Sequence, residues 1–309
     1  MKVPANLAAV PLPVSGRGTF ADYVSLTKPR LNLLVVVTSA AGYYLGDAHG
    51  SAGTATNSGA LGIPMALTVV GTALVAGGAA VLNQAAERRT DALMRRTRCR
   101  AIPDGRVTMV DACVFGAALS IIGLGTLLAN ANGLAAFLAL ATLVIYLGIY
   151  TPLKRRTSGA TLVGAVPGAL PPLIGWTASH GTISLGGLAL FAIVFLWQIP
   201  HFMAIAWMYR DDYKSAGFPM LPVIDPSGGR AGQQAVLYAA ALIPISAVPT
   251  IAGLTGTAYL YAASVLGLAL ISLAVRFWSK RTDASARWLF FGSIIYLPLL
   301  WVALIANRL

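Results

Sequence analysis

Nine apolar runs, each about as long as a bilayer is thick, constrain this chain more than anything else in it. They fall at 24–46, 61–82, 109–129, 134–151, 160–178, 184–208, 234–253, 257–277 and 287–306, and a helix needs about 20 such residues to cross a hydrocarbon core. A backbone in lipid has to satisfy its own hydrogen bonds, so runs of this length are helices. An outer-membrane barrel would show short alternating segments instead. With 57% of its 309 residues hydrophobic and 10% charged, the chain has too little polar surface for a water-soluble domain. The expected fold class is all-α, a polytopic membrane protein with nine transmembrane helices.

Every lysine and arginine except Arg308 lies on one side of this arrangement. Lys2, Arg17, Lys28 and Arg30 sit at or before the first run. Arg88, Arg89, Arg95, Arg96, Arg98, Arg100 and Arg106 follow the second, and Lys154, Arg155 and Arg156 follow the fourth. Arg210, Lys214 and Arg230 come after the sixth, and Arg276, Lys280, Arg281 and Arg287 around the end of the eighth. The positive-inside rule then puts the N-terminus in the cytoplasm and the C-terminus outside. The net charge of +12 is spread among the loops as topology requires, which argues against nucleic acid as a partner. Residues 31–46 are read as a retained helix rather than a cleaved signal, because the polar leader is long and eight more spans follow. Cys99 and Cys113 fit no metal-binding spacing and fall on the reducing side. Residues 1–22, without periodicity, are expected to be a mobile cytoplasmic leader, and 23–309 a single transmembrane domain.

The outside connections are short and the cytoplasmic ones longer and charged, so function is expected on the cytoplasmic side. A faint four-helix repeat agrees: loops with carboxylates follow runs two and six, and "YTPLKRRT" after run four echoes "FWSKRT" after run eight.

The stretch "NQAAERRTDALMRRT" ends the second run with polar groups. Asn83, Glu87 and Asp91 are spaced i, i+4, i+8 and share one helical face. Oxygen donors at that pitch suit Mg²⁺, which takes one or two carboxylates and completes its shell with water and substrate phosphate. Nearby arginines, including Arg88, Arg95, Arg96 and Arg100, favour a polyanion that brings the metal with it. The plainer alternative is that these charges pair along a solvated helix end.

The run from Asn83 to Arg100 resembles the first acidic motif of the UbiA superfamily of intramembrane prenyltransferases, and within it the protohaem IX farnesyltransferases, or haem O synthases. The resemblance spans nearly the whole chain: "LTKPR" at 26–30, "YTPLKRRT" at 150–157, "GALPPLIGW" at 168–176, "WQIPHFMAIAW" at 197–207 and "DDYKSAGFPMLPV" at 211–223. The last three are more specific to the haem branch than the acidic ladder is. Glu87 stands where the family often has Asp, Arg89 where many relatives have Asp, and Ala101 where Pro is usual.

The resemblance implies a UbiA-like helical bundle in a bacterial-type inner membrane, with the active site toward the cytoplasm. Asn83, Glu87, Asp91 and Asp212 would hold Mg²⁺ on the substrate diphosphate, with Arg96, Arg100, Lys154, Arg155 and Lys214 on its oxygens. The second motif of the superfamily usually has carboxylates four apart. Here Asp211 and Asp212 are adjacent and would point about 100° apart on a helix, so Asp212 is the preferred ligand. A helix-end salt bridge is the alternative for Asp212, and topology alone for Lys154 and Arg155.

His201 lies inside the sixth run, four residues after Trp197, and an intramembrane ionisable group is a functional candidate. It is either a haem contact, together with Trp197, or a histidine hydrogen-bonded between helices. A continuous helix would separate it from Asp212 by about 16 Å. Pro171, Pro172 and Gly175 are expected to break the fifth helix around a cavity, with a simple packing kink as the alternative.

The implied reaction moves the farnesyl group of farnesyl diphosphate to a vinyl group of haem B, with water addition, giving haem O. Haem A synthase or terminal-oxidase assembly factors are the implied partners, besides membrane lipid. Two other functions remain open: a superfamily prenyltransferase acting on a quinone precursor or another aromatic acceptor, and a transporter or lipid-binding membrane protein.

Overall fold

The computed structural model describes residues 18–47 and 62–309, so most of the expected leader, the loop at 48–60 and His49 lie outside the described residues. The described residues are overwhelmingly helical. In order they form α1 (Phe20–Leu26), α2 (Pro29–Asp47), α3 (Gly62–Asp91), α4 (Met109–Asn130) and α5 (Gly133–Leu143), which runs on through a π-helical stretch (Val144–Tyr150) into α6 (Thr151–Leu153). There follow α7 (Ala160–His180), α8 (Leu185–Met208), α9 (Arg210–Ser215), α10 (Leu221–Ile224), α11 (Gly229–Ile251), α12 (Thr257–Lys280) and α13 (Asp283–Ala306).

Among the described residues, seven helices are long and apolar enough to cross a membrane: α3, α4, the composite α5–α6, α8, α11, α12 and α13. Helices α2 and α7 have the length but are less apolar, and they pack against each other inside the bundle. Their backbones meet at two glycines. A Cβ on Gly42 would collide with the Pro172 carbonyl, and one on Gly175 with the Ser39 carbonyl.

The first expected helix divides in two. Pro29 disfavours right-handed helical geometry at the residue before it, and Lys28 takes a left-handed conformation with φ 51°. The expected leader therefore ends inside structure, since Phe20 to Asp22 belong to α1. Asp22 is buried and paired with Arg106 of the loop after α3. The expected break in the fifth helix does not occur: α7 is one helix from Ala160 to His180 with Pro167, Pro171 and Pro172 inside it. Packed neighbours support a proline-containing helix in a membrane bundle, and here α2, α5 and α8 all lie against α7.

Local signals set other boundaries. Thr108 caps α4, Asn132 caps α5, and Thr282 forms a capping box with Ser285 that starts α13 earlier than the apolar run does.

Candidate active site

The last two turns of α3 carry Asn83, Glu87 and Asp91 on one face, at 3%, 3% and 1% exposure. Buried carboxylates need counter-charges, and two basic side chains supply them, one from the loop directly after α3 and one from 67 residues away. Lys154 Nζ donates to both oxygens of Glu87 at 3.2 Å. Arg100 donates to Asp91 Oδ2 at 2.7 Å. Asp91 Oδ1 is buried and has no hydrogen-bond partner among the described residues. Asn83 is held by its amide, which donates to Thr151 Oγ1 at 3.0 Å, while the Tyr146 hydroxyl donates to its carbonyl oxygen at 3.4 Å.

The π-helical stretch is what brings the partners in. A widened turn shifts the register of everything after it. It stacks Tyr146 on Tyr150, with centroids 5.4 Å apart, and carries Thr151 to Asn83 and Lys154 to Glu87. Lys154 also lies 4.6 Å over the Phe218 ring, joining the end of α3 to the segment after α8.

That segment begins with a break. Helix α8 ends at Met208, and Tyr209 is non-helical at φ −113°, ψ 23°. A single straight helix from His201 to Asp212 is therefore absent, and the expected spacing of about 16 Å has no continuous helix to rest on. Asp212 is half-buried and accepts a long hydrogen bond, 3.4 Å, from the backbone N–H of Arg96, whose guanidinium covers the Tyr209 ring at 4.7 Å. Asp211 and Lys214 are exposed. Arg155 donates to the Ala86 carbonyl at 3.4 Å, beside Glu87, and Arg156 is exposed. The structure thus gathers Asn83, Glu87, Asp91, Arg100 and Lys154 into one assembly and sets Asp212 and Arg96 beside it.

Lys28 joins them without having been singled out. From the turn between α1 and α2 it lies within electrostatic reach of Glu87, Asp91, Arg100 and Lys154. Burial, then repulsion from Arg100 and Lys154, lower its pKa from 10.5 to about 8, against the pull of the two carboxylates. The only trace of this in the sequence is a lysine placed just before a proline in "LTKPR".

Among the described residues no three His, Cys, Asp or Glu side chains come together as a metal cage. Mg²⁺ needs none when a diphosphate supplies part of its shell. An all-oxygen donor set with one unpartnered buried carboxylate oxygen, Asp91 Oδ1, fits that kind of binding.

His201 belongs to a second cluster. Its Nδ1 is 2.8 Å from Ser293 Oγ on α13, and its ring stacks with Trp197 and with Phe290, with centroids at 5.3 and 5.0 Å. Trp197 is buried and donates its indole N–H to the Ser293 carbonyl at 2.7 Å, so it backs the imidazole from within the core.

A buried oxygen ladder faced by cations at one end of an intramembrane helical bundle describes a class of prenyl-transferring membrane enzymes, and the family match bears this out. The UbiA prenyltransferase family is matched over residues 35–295, and the chain belongs to it. Among individual proteins, the chain is 43% identical to the protoheme IX farnesyltransferase of Solibacter usitatus, over 93% of this chain and 98% of that one. A solved structure concerning digeranylgeranylglyceryl phosphate synthase in membranes shares the fold, with a TM-score of 0.75 at 16% identity over 93% of this chain and 97% of that one. So does a UbiA homologue from Archaeoglobus fulgidus bound to GPP and Mg²⁺, with a TM-score of 0.60 at 16% identity over 92% and 99%.

Proposed function

We infer that this protein transfers the farnesyl group of farnesyl diphosphate to a vinyl group of haem B, with water addition, giving haem O. The observation that carries the reading is the buried face of Asn83, Glu87 and Asp91, with Lys154 and Arg100 on its carboxylates and Asp91 Oδ1 unpartnered. The protein of Solibacter usitatus supports the choice of haem acceptor by its name, and the Archaeoglobus fulgidus structure supports a magnesium-bound prenyl diphosphate.

Without substrate, Lys154 and Arg100 neutralise the two carboxylates. When the diphosphate enters, these cations would turn to its oxygens and free Glu87 and Asp91, which with Asn83 and Asp212 would hold Mg²⁺. The bound metal supplies Lewis-acid stabilisation of the departing diphosphate charge. Arg96, Arg100, Lys154 and Lys28 add cationic stabilisation aimed at the leaving group, with Arg155 and Lys214 at the rim. His201, backed by Trp197, contacts the haem. No side chain serves as nucleophile; the vinyl group attacks the allylic carbon, and water completes the hydroxyethyl product.

In the same reading all nine long helices cross the membrane, with the N-terminus cytoplasmic, the C-terminus outside and the site at the cytoplasmic face of the inner membrane. Farnesyl diphosphate and haem B are the substrates, and a haem A synthase or terminal-oxidase assembly factor receives the product.

The deciding experiment incubates purified protein with haem B, farnesyl diphosphate and Mg²⁺ and analyses the extracted porphyrins by mass spectrometry. A farnesylhydroxyethyl haem that disappears with chelator is expected. Unchanged haem from folded protein, with prenylation of a quinone precursor instead, would reject the haem acceptor and keep the metal site.

A further inference from the structure

Ser293 is completely buried on α13 and makes two short contacts through one hydroxyl. Its Oγ lies 2.7 Å from the Phe290 carbonyl oxygen and 2.8 Å from His201 Nδ1. A hydroxyl carries a single proton, and a carbonyl oxygen can only accept. If that proton pointed at His201, the Phe290 contact would press two oxygens together with nothing between them. Both contacts are hydrogen bonds only when Ser293 donates to Phe290 and accepts from His201, which puts the imidazole proton on Nδ1.

The consequence falls on the other ring nitrogen. A neutral imidazole protonated at Nδ1 has its lone pair on Nε2. His201 Nε2 has no hydrogen-bond partner among the described residues and is not a buried atom. The ring is stacked with two aromatic neighbours, Trp197 at 20° and Phe290 at 23° from parallel. Trp197 is in turn fixed to the Ser293 carbonyl. One residue therefore sets the tautomer and also anchors one of the stacked rings.

We propose that Ser293 is a positioning residue that holds His201 as its Nδ1–H tautomer, so that Nε2 is the atom that ligates the iron of the haem substrate. This rests on the reading that His201 contacts haem. Ser293 does for His201 what outer-shell acceptors do for other ligating histidines, where their removal weakens metal binding by about 10- to 100-fold.

The test titrates haem B into the full-length protein, its Ser293→Ala and Ser293→Thr variants and His201→Ala, and records affinity and the iron–histidine stretch by resonance Raman. Farnesyl diphosphate binding serves as the control for folding. Ser293→Ala should bind haem about tenfold or more weakly with a shifted stretch, Ser293→Thr should recover both, and His201→Ala should lose the histidine signature. Wild-type affinity and stretch in Ser293→Ala would overturn the role of Ser293 and leave the haem contact standing. An unchanged haem spectrum in His201→Ala would overturn the haem contact itself. Should Ser293→Ala fail to fold, ¹⁵N-histidine NMR of the unaltered protein decides: a proton on Nδ1 is expected, and one on Nε2 refutes the proposal.

Discussion

Asp91 spends one carboxylate oxygen on Arg100 and leaves the other unpartnered, which makes it the most exacting residue of the ladder. Asp91→Asn keeps the shape but turns one acceptor oxygen into a donor, so turnover should fall by roughly 10²-fold or more, while haem binding stays intact. Full Mg²⁺-dependent activity in steady-state assays would remove Asp91 from the metal site. Lys28 gives a pH signature. Its folded pKa of about 8 lies below the ordinary 10.5, so between those values the unfolded chain holds a proton that the folded protein has released. Stability of the substrate-free protein should therefore rise as pH climbs through that window. Lys28→Gly removes this dependence and also relieves a left-handed conformation that costs a side chain about 1 kcal/mol. Melting curves should show the variant no less stable and flatter with pH, and kinetics should show a higher KM for the diphosphate. A variant that melts lower and keeps its KM would mean that Lys28 is structural.

The pairing of α2 with α7 depends on backbone contact. Gly175→Ala or Gly42→Ala drives a methyl into a carbonyl of the facing helix, at a cost of about 1–3 kcal/mol. Gly125→Ala, which meets nothing within 4 Å, is the control and should be neutral or better. Equal melting temperatures for Gly175→Ala and Gly125→Ala would show that the two helices part easily. The same scale explains what could be read from the chain alone. Asn83, Glu87 and Asp91 were legible because i, i+4 spacing is local geometry, and the long helices because bilayer thickness is a one-dimensional constraint. Lys154, 67 residues from its partner Glu87, was visible as a cation but not as that partner. The register that joins them comes from a π-helical stretch with no signature in "VIYLGIY". Ser293 was invisible for the same reason, since its meaning lies on α8. The unbroken α7 was misread because prolines announce a break, while the neighbours that hold the helix together are distant in sequence.

For the whole molecule, orientation is the property that charge placement predicts and packing leaves open. In a background with Cys99 and Cys113 replaced by serine, Lys280→Cys should react with an impermeant maleimide only from the cytoplasmic side, and Leu309→Cys only from the outside. Inverted labelling would put the acidic ladder at the opposite face and reject a cytoplasmic site.

The bridge between Lys154 and Glu87 also imposes an order in time. The two residues are 67 positions apart, and a ribosome adding about 5–20 residues per second needs roughly 3–13 s to travel between them. Throughout that interval Glu87 lacks its ion-pair partner, while Lys28, which lies within electrostatic reach of it in the folded protein, has already been made. Biogenesis would thus include a span of seconds in which this end of α3 has to be shielded by water or by the insertion machinery, until the fifth long helix of the bundle is about to begin.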